Sequence, residues 1–341
     1  MNNKPIRHQA AGHDGTYTDE AELLVFKPTN DTEVKFYEDM QSRNAQQPRK
    51  EVGLQTWMPL FIGTLLEGLP ADMQGNPLTS VPILDGKGPE KLAQGVKTGS
   101  GRPIVVLENL LHGYSRPIII DIKLGRVLHD DLTDNEKRER LIAVSESTTS
   151  GSLGFRICGM KVQHKKQICD LEERYYEKDD QDYFTVNKHY GRDLTDLTVM
   201  GGLKLFFSSE DLSCERQVKL ISIFRSRLTL LLDTLLKEEV RLISSSLFFV
   251  YEADSKRWDE LKDEDTLLRS TMDAEEISDL SDDEDEAESM HPPTPLSSLS
   301  LIDFAHSRLA PNEGKDDNVI FGLERLIEQF DELLKGSNDI N

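Results

Sequence analysis

One stretch of this chain combines strong β-strand propensity with two opposite charges. Residues 117–125 are Pro-Ile-Ile-Ile-Asp-Ile-Lys-Leu-Gly, and the repeated isoleucines favour a buried strand. Because side chains alternate along a strand, Asp121 and Lys123 share one face. A carboxylate and an ammonium are costly to bury unless each is engaged by the other, by a metal ion or by a charged ligand. The stretch therefore predicts a buried strand that ends in a functional site, where Gly125 allows backbone and ligand to come close.

A lysine and a carboxylate in this arrangement suit phosphoryl transfer. Lys123 can neutralise oxygens of the moving phosphate, while Asp121 can orient a hydroxyl, a ribose or a metal ion. The chain has no Walker motif, no G-x-G-x-x-G loop and no H-E-x-x-H zinc motif. The predicted chemistry therefore depends on the strand itself and not on a common phosphate-binding loop.

Other motifs accompany this strand along the chain. They are Ala11-Gly12-His13, residues 149–161, Tyr190-Gly191-Arg192, residues 245–252 and residues 302–306. Together with P-x-x-x-D-x-K-x-G, and in this order, they resemble the inositol polyphosphate kinase family from about residue 8 to the C-terminus. Residues 121–125 and 149–161 are most similar to fungal members of that family.

The resemblance implies an α+β fold with two kinase-like lobes and a nucleotide between them. We assign residues 1–107 to the N-terminal lobe, with a loop near 66–102 where glycines and prolines recur and apolar periodicity is lost. Residues 108–341 form the C-terminal catalytic lobe. It carries a small helical substrate-binding element near 133–150 and an acidic disordered loop near 253–298.

Composition and charge argue against several classes of protein. The 341 residues carry a formal net charge of -22, which argues against direct nucleic-acid binding because phosphate backbones would be repelled. Residues 273–288 hold ten acidic side chains and no basic one, so this segment repels itself. Three cysteines without a C-x-x-C motif indicate neither a disulfide framework nor a zinc site. No apolar run is long enough to cross a bilayer, and we expect a protein of nucleus and cytoplasm without a transmembrane segment.

Several residues are candidates for holding ATP and its metal ion. Lys27 follows the apolar residues 23–26, where a kinase-like lobe presents a lysine to nucleotide phosphates; the alternative is an exposed lysine at a strand end. Glu108 and Leu110 lie between the lobes, where backbone groups can bind adenine, and Asp121 is a further candidate contact. Asp303 resembles the magnesium-binding aspartate of kinases, although a lone aspartate after a strand is often a turn residue.

A second set of residues is predicted to bind a polyanionic substrate, because each phosphate charge that leaves water needs a compensating cation. The resemblance implies a set made of Lys123, Lys137, Arg140, Lys161, Lys188 and His306. A basic helix face is usually just solvated, which is the alternative for Lys137 and Arg140. Arg156 lies between apolar residues, and for it a role as a structural ion-pair partner is the alternative to a substrate contact.

The resemblance implies ATP-dependent phosphorylation of inositol 1,4,5-trisphosphate at more than one ring position, to tetrakis- and pentakisphosphate. Asp121 either orients hydroxyl groups or acts as the base, and the sequence leaves both open. Two alternatives are a single-specificity sibling, such as a trisphosphate 3-kinase or a hexakisphosphate kinase, and a mainly non-catalytic transcriptional scaffold. Fungal relatives combine kinase activity with arginine-responsive transcription, so the acidic loop is a candidate contact for transcription factors.

Overall fold

The computed structural model describes residues 4–6, 8–10, 15–46, 52–66, 102–269 and 294–338. Its N-terminal lobe is a five-stranded antiparallel sheet in the order β1-β2-β3-β5-β4. The strands are β1 Lys4–Pro5, β2 Tyr17–Thr18, β3 Leu24–Pro28, β4 Phe61–Leu66 and β5 Pro103–Glu108. Helix α1, Asp31–Gln46, follows β3 directly, and a 3-10 turn at Leu54–Trp57 precedes β4.

The C-terminal lobe is built on a six-stranded antiparallel sheet in the order β12-β11-β6-β7-β9-β8. These strands are β6 Pro117–Leu124, β7 Phe155–Val162, β8 Tyr176–Lys178, β9 Phe184–Val186, β11 Ser246–Glu252 and β12 Ser297–Ile302. A separate two-stranded ribbon pairs β10 Val240–Ile243 with β13 His306–Leu309. The predicted signature strand is thus β6, in the interior of the larger sheet.

Eight helices of the described residues follow α1. They are α2 Asn135–Glu146, α3 Thr149–Leu153, α4 Lys165–Ile168, α5 Lys188–Asp193, α6 Val199–Phe207, α7 Cys214–Leu235, α8 Ser255–Glu260 and α9 Asp317–Asn338. Ser213 caps α7 by accepting a hydrogen bond from the N–H of Arg216. The apolar residues of α7 and α9 recur at helical spacing, and both helices bury that face against the larger sheet and each other. Helices α2 and α3 occupy the range in which a helical element is expected.

The two faces of β6 have different surroundings. Ile118, Ile120 and Ile122 belong to the main hydrophobic core, which lies under α7 and α9. Ile119 belongs to a smaller apolar cluster on the opposite face. Asp121 and Lys123 share that opposite face by alternation, so the fold directs both charges away from the main core.

The acidic loop expected near 253–298 is shorter than the sequence suggests. Helix α8 begins at Ser255, and its Trp258 is fully buried. Arg227 of α7 holds the segment after α8 through Asp265, with 3.3 Å between Nη2 and Oδ2, and donates to Ser297 Oγ at 2.7 Å. These contacts are made between distant parts of the chain, so composition alone hides them. Residues 270–293 of this loop, and residues 67–101 of the loop expected near 66–102, lie outside the described residues.

Across the described ranges, no helix combines the length and the apolar character needed to cross a membrane.

Candidate active site

A buried ion-pair network joins the two lobes. Lys27, at the end of β3, lies with its Nζ 2.9 Å from Glu33 Oε1 of α1 and 2.6 Å from Asp303 Oδ1, just after β12. Burial alone would lower the pKa of Lys27, but the two carboxylates outweigh it and raise the pKa above its ordinary value. Lys27 therefore remains a cation inside the protein, and the predicted nucleotide lysine and metal aspartate are brought together.

Glu33 is a member of this network that the sequence does not single out. Its carboxylate also accepts hydrogen bonds from Thr29 Oγ1 and, at 2.9 Å, from the N–H of Phe304. The side chain of Asn30 accepts from the N–H of Glu33 and donates to the carbonyl of Ala305, at 3.0 Å. An acid in the first turn of a helix is common because it suits the helix dipole, so only the fold shows that Glu33 is fully buried against Lys27.

Asp303 adopts a backbone conformation that few non-glycine residues use. Its φ angle is 65°, in the left-handed region, at the turn between β12 and β13. Such a conformation costs about 1–2 kcal/mol in an ordinary residue and persists where the surrounding structure imposes it. The turn places the Asp303 carboxylate next to the Lys27 ammonium. The unfavourable backbone conformation is therefore found where it supports the ion pair.

Asp121 is a buried acid with unsatisfied hydrogen-bonding capacity. Its Oδ1 is inaccessible to solvent, and no described residue donates to it. Burial, together with the charge of Asp303, raises the pKa of Asp121 to about 7, although Lys123 opposes the shift. A carboxylate of this kind can take up a cation or accept the proton of a hydroxyl group.

Lys123 is fixed beside Asp121 by a neighbouring turn. Its Nζ donates to the carbonyl of Ser244 at 2.5 Å, and Ser244 itself has a positive φ of 58°. Gly125, which ends the signature, has a φ of 94° and donates to the carbonyl of Gly154 at 2.7 Å. A Cβ on Gly125 would lie 2.5 Å from Asn318 Nδ2, and the positive φ would strain any residue other than glycine there.

A cleft of about 680 Å³, including its open mouth, lies between the lobes. Val25, Leu107 and Phe248 give it apolar walls, and Lys27 and Asp303 stand at one part of its lining. The cleft also includes residues 108–111, which connect the lobes. An apolar slot that ends in a charged cluster fits a flat base carrying a phosphate chain.

The predicted adenine contacts differ in whether their hydrogen-bonding groups are available to a ligand. The carboxylate of Glu108 is engaged inside the protein, where it accepts from the N–H of Leu60 at 2.7 Å and from Arg269. Arg269 also donates to the carbonyl of Met58. The backbone N–H and carbonyl of Leu110 make no hydrogen bond within the ranges that the structure describes. The structure therefore leaves main-chain groups, and not the Glu108 side chain, for a bound base.

Among the residues predicted to bind substrate, Lys161 is buried and ion-paired, whereas Lys137, Arg140 and Lys188 are half-buried or exposed. Lys161 of β7 shares the catalytic face with Lys123, and its Nζ lies 2.8 Å from Asp179 and over the Tyr183 ring. Lys137 and Arg140 lie on α2, one half-buried and one exposed. Lys188 begins α5 and is exposed, next to its capping residue Asn187.

Arg156 is not the ion-pair partner that the sequence suggests. It is buried on β7 opposite Lys123 and donates to Thr148 Oγ1 at 3.2 Å. Among the described residues, no carboxylate pairs with it. Thr148 in turn donates to the carbonyl of Val144 at 2.7 Å, so Arg156 connects the catalytic face to the end of α2.

His306 begins β13, three residues after Asp303. Its Nδ1 lies 2.5 Å from Asp130 Oδ2, in the loop that precedes α2. Burial would raise the pKa of Asp130, but hydrogen bonds with Thr133 and His306 outweigh it and lower the pKa. Asp130 is a second residue that the sequence does not single out, since it lies in an ordinary polar loop.

The carboxylates of this site fit a hard divalent cation. Asp303 is partly exposed to the cleft, and the buried Oδ1 of Asp121 has no donor in the described part of the chain. No group of three or more His, Cys, Asp or Glu side chains within those same ranges could hold a metal alone. One or two carboxylates suit a Mg²⁺-type ion that takes its remaining ligands from phosphate and water.

Comparison with known proteins gives the class to which this site belongs. Residues 104–331 match the sequence model of the family described as inositol polyphosphate kinase. The chain belongs to the inositol polyphosphate kinase family, a family of phosphotransferases, and the two-lobed α+β fold predicted from the sequence is confirmed.

Individual relatives narrow the comparison. The chain is 42% identical over 359 residues to the inositol polyphosphate multikinase of Saccharomyces cerevisiae, covering 96% of this chain and 98% of that protein. It is 31% identical over 335 residues to the multikinase of Schizosaccharomyces pombe, covering 98% and 99%. It also resembles the crystal structure of inositol phosphate multikinase Ipk2 from S. cerevisiae in complex with ADP and Mn²⁺, with a TM-score of 0.70 and 39% identity over 92% of this chain and 99% of that one.

Proposed function

We propose that this chain is an ATP-dependent inositol polyphosphate multikinase that phosphorylates inositol 1,4,5-trisphosphate successively to tetrakis- and pentakisphosphate. The observation that carries the proposal is the ion-pair network of Lys27, Glu33 and Asp303, two members of which line the cleft between the lobes. The charge of Asp303 also raises the pKa of Asp121 on the signature strand, so the two carboxylates interact. Both multikinase relatives named above match nearly the whole chain.

The nucleotide side of the proposed mechanism uses the backbone between the lobes and the Lys27–Asp303 pair. The backbone at residues 108–110 would bind adenine, and the ammonium of Lys27 would bind the phosphates. Asp303 would hold Mg²⁺, with Asp121 as the neighbouring carboxylate, and a related structure contains ADP with Mn²⁺. When bound, the divalent ion would supply charge neutralisation on the phosphate oxygens.

Asp121 and Lys123 would act on the transferring group. The raised pKa of Asp121, about 7, suits a carboxylate that takes the proton of an inositol hydroxyl near neutral pH. The same carboxylate could serve by orienting that hydroxyl while the proton leaves later, since a loose transition state demands little of a base. Lys123, held by Ser244, would neutralise charge on the transferring phosphoryl group.

The remaining basic residues would bind the phosphates already on the ring. Lys137 and Arg140 come from α2, Lys161 from β7, Lys188 from α5 and His306 from β13. Basic residues on four separate elements can surround a substrate that carries phosphates in several directions. We propose that this arrangement accepts more than one orientation of the ring, as phosphorylation at more than one position requires.

Product analysis tests the proposal. Purified protein with Mg²⁺ and ATP is incubated separately with inositol tris-, tetrakis-, pentakis- and hexakisphosphate, and products are resolved against positional standards. We expect the trisphosphate to be converted stepwise to pentakisphosphate. Reaction of the hexakisphosphate alone would assign the chain to the hexakisphosphate kinases, and a single step to tetrakisphosphate would indicate a trisphosphate 3-kinase.

Two variants test the assigned roles. Asp121→Asn and Lys123→Ala should lower turnover of the trisphosphate by about 10²-fold or more, because each removes a charged group at the reacting atoms. Circular dichroism and thermal unfolding establish that each variant is folded. Turnover close to wild type in both folded variants would refute their roles.

A second role is proposed for the acidic segment. Ten acidic residues and no basic one between 273 and 288 suit binding to basic surfaces of transcription factors, in line with arginine-responsive control and a location in nucleus and cytoplasm. Deletion of residues 273–288 should leave inositol phosphate turnover unchanged while reducing salt-sensitive binding to such factors. Unchanged binding of the deletion variant to transcription factors would contradict this role. Loss of nuclear location would also contradict it if that loss occurred only together with loss of turnover.

A further inference from the structure

One carboxylate near the substrate side has its two oxygens bound to two different parts of the site. Asp130 Oδ1 accepts from Thr133 Oγ1 at 2.6 Å and from the N–H of Leu132 at 3.1 Å. Its Oδ2 lies 2.5 Å from His306 Nδ1. The first set of bonds belongs to the loop before α2, and the second belongs to the strand that follows Asp303.

The bonds at Oδ1 shape the beginning of α2. Thr133 Oγ1 also accepts from the N–H of Asp130, and the N–H of Thr133 donates back to the carbonyl of Asp130, at 3.2 and 3.3 Å. The next residue, Asp134, caps α2 by accepting from the N–H of Lys137 at 2.8 Å. The turn at residues 130–133 therefore sets where α2 begins, and with it the position of Lys137.

The bond at Oδ2 fixes the protonation pattern of the His306 ring. Asp130 has a lowered pKa and is ionised at neutral pH, so its oxygens only accept hydrogen bonds. The ring nitrogen that faces it, Nδ1, must therefore carry a proton. The other nitrogen, Nε2, is left as the group that can face a ligand, either as an acceptor or, in the cation, as a donor.

We propose that Asp130 is a positioning residue that couples His306 to helix α2, so that both meet the inositol phosphate in one fixed arrangement. This inference rests on the proposed function, because it takes His306 and Lys137 as substrate contacts. Asp130 itself does not need to touch the substrate. Its effect should therefore appear in the affinity for the inositol phosphate and not in the affinity for ATP.

Asp130→Asn separates the two roles of the carboxylate. An amide has one acceptor oxygen, which can serve either the donors of the turn or His306, but not both as Asp130 does. With the oxygen kept by Thr133 and Leu132, the amide nitrogen would face Nδ1 and favour the ring tautomer protonated at Nε2. The matched control is Asp131→Asn, which makes the same chemical change at an exposed neighbour.

Steady-state kinetics measure the coupling. We expect Asp130→Asn to raise KM for inositol 1,4,5-trisphosphate by about tenfold, within the range seen when an orienting partner is lost. KM for ATP should change less than about twofold, and Asp131→Asn should behave as wild type. In a His306→Ala background, adding Asp130→Asn should have a much smaller effect, because the ring that it orients is gone. An equal effect in both backgrounds, or no effect beyond that of Asp131→Asn, would overturn the proposal.

Nitrogen-15 NMR of the histidine rings tests the same coupling without any turnover. Wild type should show His306 protonated at Nδ1, and Asp130→Asn should move the neutral ring to the Nε2 tautomer. An unchanged tautomer would overturn the coupling even if trisphosphate is a substrate. Conversely, if the tautomer shifts but no inositol phosphate is turned over, the proposed function fails while the Asp130–His306 link stands.

Discussion

The nucleotide side and the inositol phosphate side of this site are built in contrasting ways. On the nucleotide side, the side chain of Lys27 is only 12% exposed and is already neutralised by the fully buried Glu33 and by Asp303. On the substrate side, Lys161 is buried and paired with Asp179, and His306 is bonded to Asp130. Lys137, Arg140 and Lys188, in contrast, are half-buried or exposed, and no carboxylate in the described part of the chain pairs with them. Lys27, which has little contact with water, is therefore paired inside the protein, whereas the exposed cations remain hydrated and, within the described ranges, unpaired.

The difference follows from the cost of burying charge. A buried ammonium without partners loses several kcal/mol of hydration, so Lys27 needs its two carboxylates before any ligand arrives. Exposed cations keep their hydration and lose little by remaining unpaired, yet together they attract a polyanion. The nucleotide side is thus preorganised for one geometry, while the exposed cations of the substrate side can adapt to inositols with different numbers of phosphates around the fixed Lys161 and His306.

The largest effect should come from breaking the preorganised side. Glu33→Gln removes the fully buried carboxylate of the ion pair with Lys27, so we expect kcat to fall by about 10²-fold and stability by roughly 3 kcal/mol. The same change at Glu38, which is exposed on α1, serves as the control. Turnover and thermal unfolding of both variants are measured. If Glu33→Gln kept the turnover of Glu38→Gln, Lys27 would not depend on its buried partner.

A smaller effect is expected at the connection between the lobes. Arg269 bonds Glu108 and the carbonyl of Met58, and so fixes the backbone that would bind adenine. Arg269→Gln should raise KM for ATP by about tenfold, the equivalent of about 1.4 kcal/mol, with kcat and KM for inositol phosphate changed little. Arg225→Gln, which breaks the remote pair with Asp331, is the control. A rise in both Michaelis constants would show a general loss of structure instead of a local one.

The adaptable side should respond more weakly to each single change. Arg140→Gln and Lys188→Gln are each expected to raise KM for the trisphosphate about threefold to fivefold, because exposed charges act through a screened field. The effects should shrink as salt is added. Arg325→Gln, which removes an exposed charge from a different surface on α9, is the control. Loss of 10²-fold in either variant would show that the substrate side is as rigidly organised as the nucleotide side.

Sequence reasoning recovers the parts of this molecule that have local signals. The apolar spacing of α7 and α9 indicates long core helices, and the isoleucines around Asp121 indicate a buried strand. Lys27 and Asp303 are singled out because each follows an apolar strand within an ordered series of motifs, and the structure brings them within 2.6 Å of each other, while their roles stay predictions. All of these signals lie within a few residues of one another in the chain.

The residues that sequence reasoning misses owe their roles to distant partners. Glu33 meets the N–H of Phe304, 271 positions away, and Asp130 meets His306, 176 positions away. In the sequence, one resembles an ordinary first-turn acid and the other a polar loop residue. The length of the acidic loop is misjudged for the same reason, since the Arg227–Asp265 pair that orders its first part is invisible in composition.

The smallest effect is a change in thermal stability at Asp121, which lies between the nucleotide side and the substrate side. Its buried carboxylate costs the folded protein stability when it is ionised. Its pKa is raised from 3.8 in an unperturbed chain to about 7, so between these values the folded protein holds a proton that the unfolded chain has lost. The stability from that proton is fully present at low pH and is lost as pH rises through about 7. Without metal or nucleotide, Asp121→Asn should therefore gain in Tm relative to wild type on going from about pH 6 to about pH 8, by roughly 2–4 °C for about 1 kcal/mol. Asp180→Asn, an exposed change, should show no such trend. A Tm difference independent of pH would mean that Asp121 is ionised throughout, and its charge would then belong to the preorganised network of Lys27 before substrate binds.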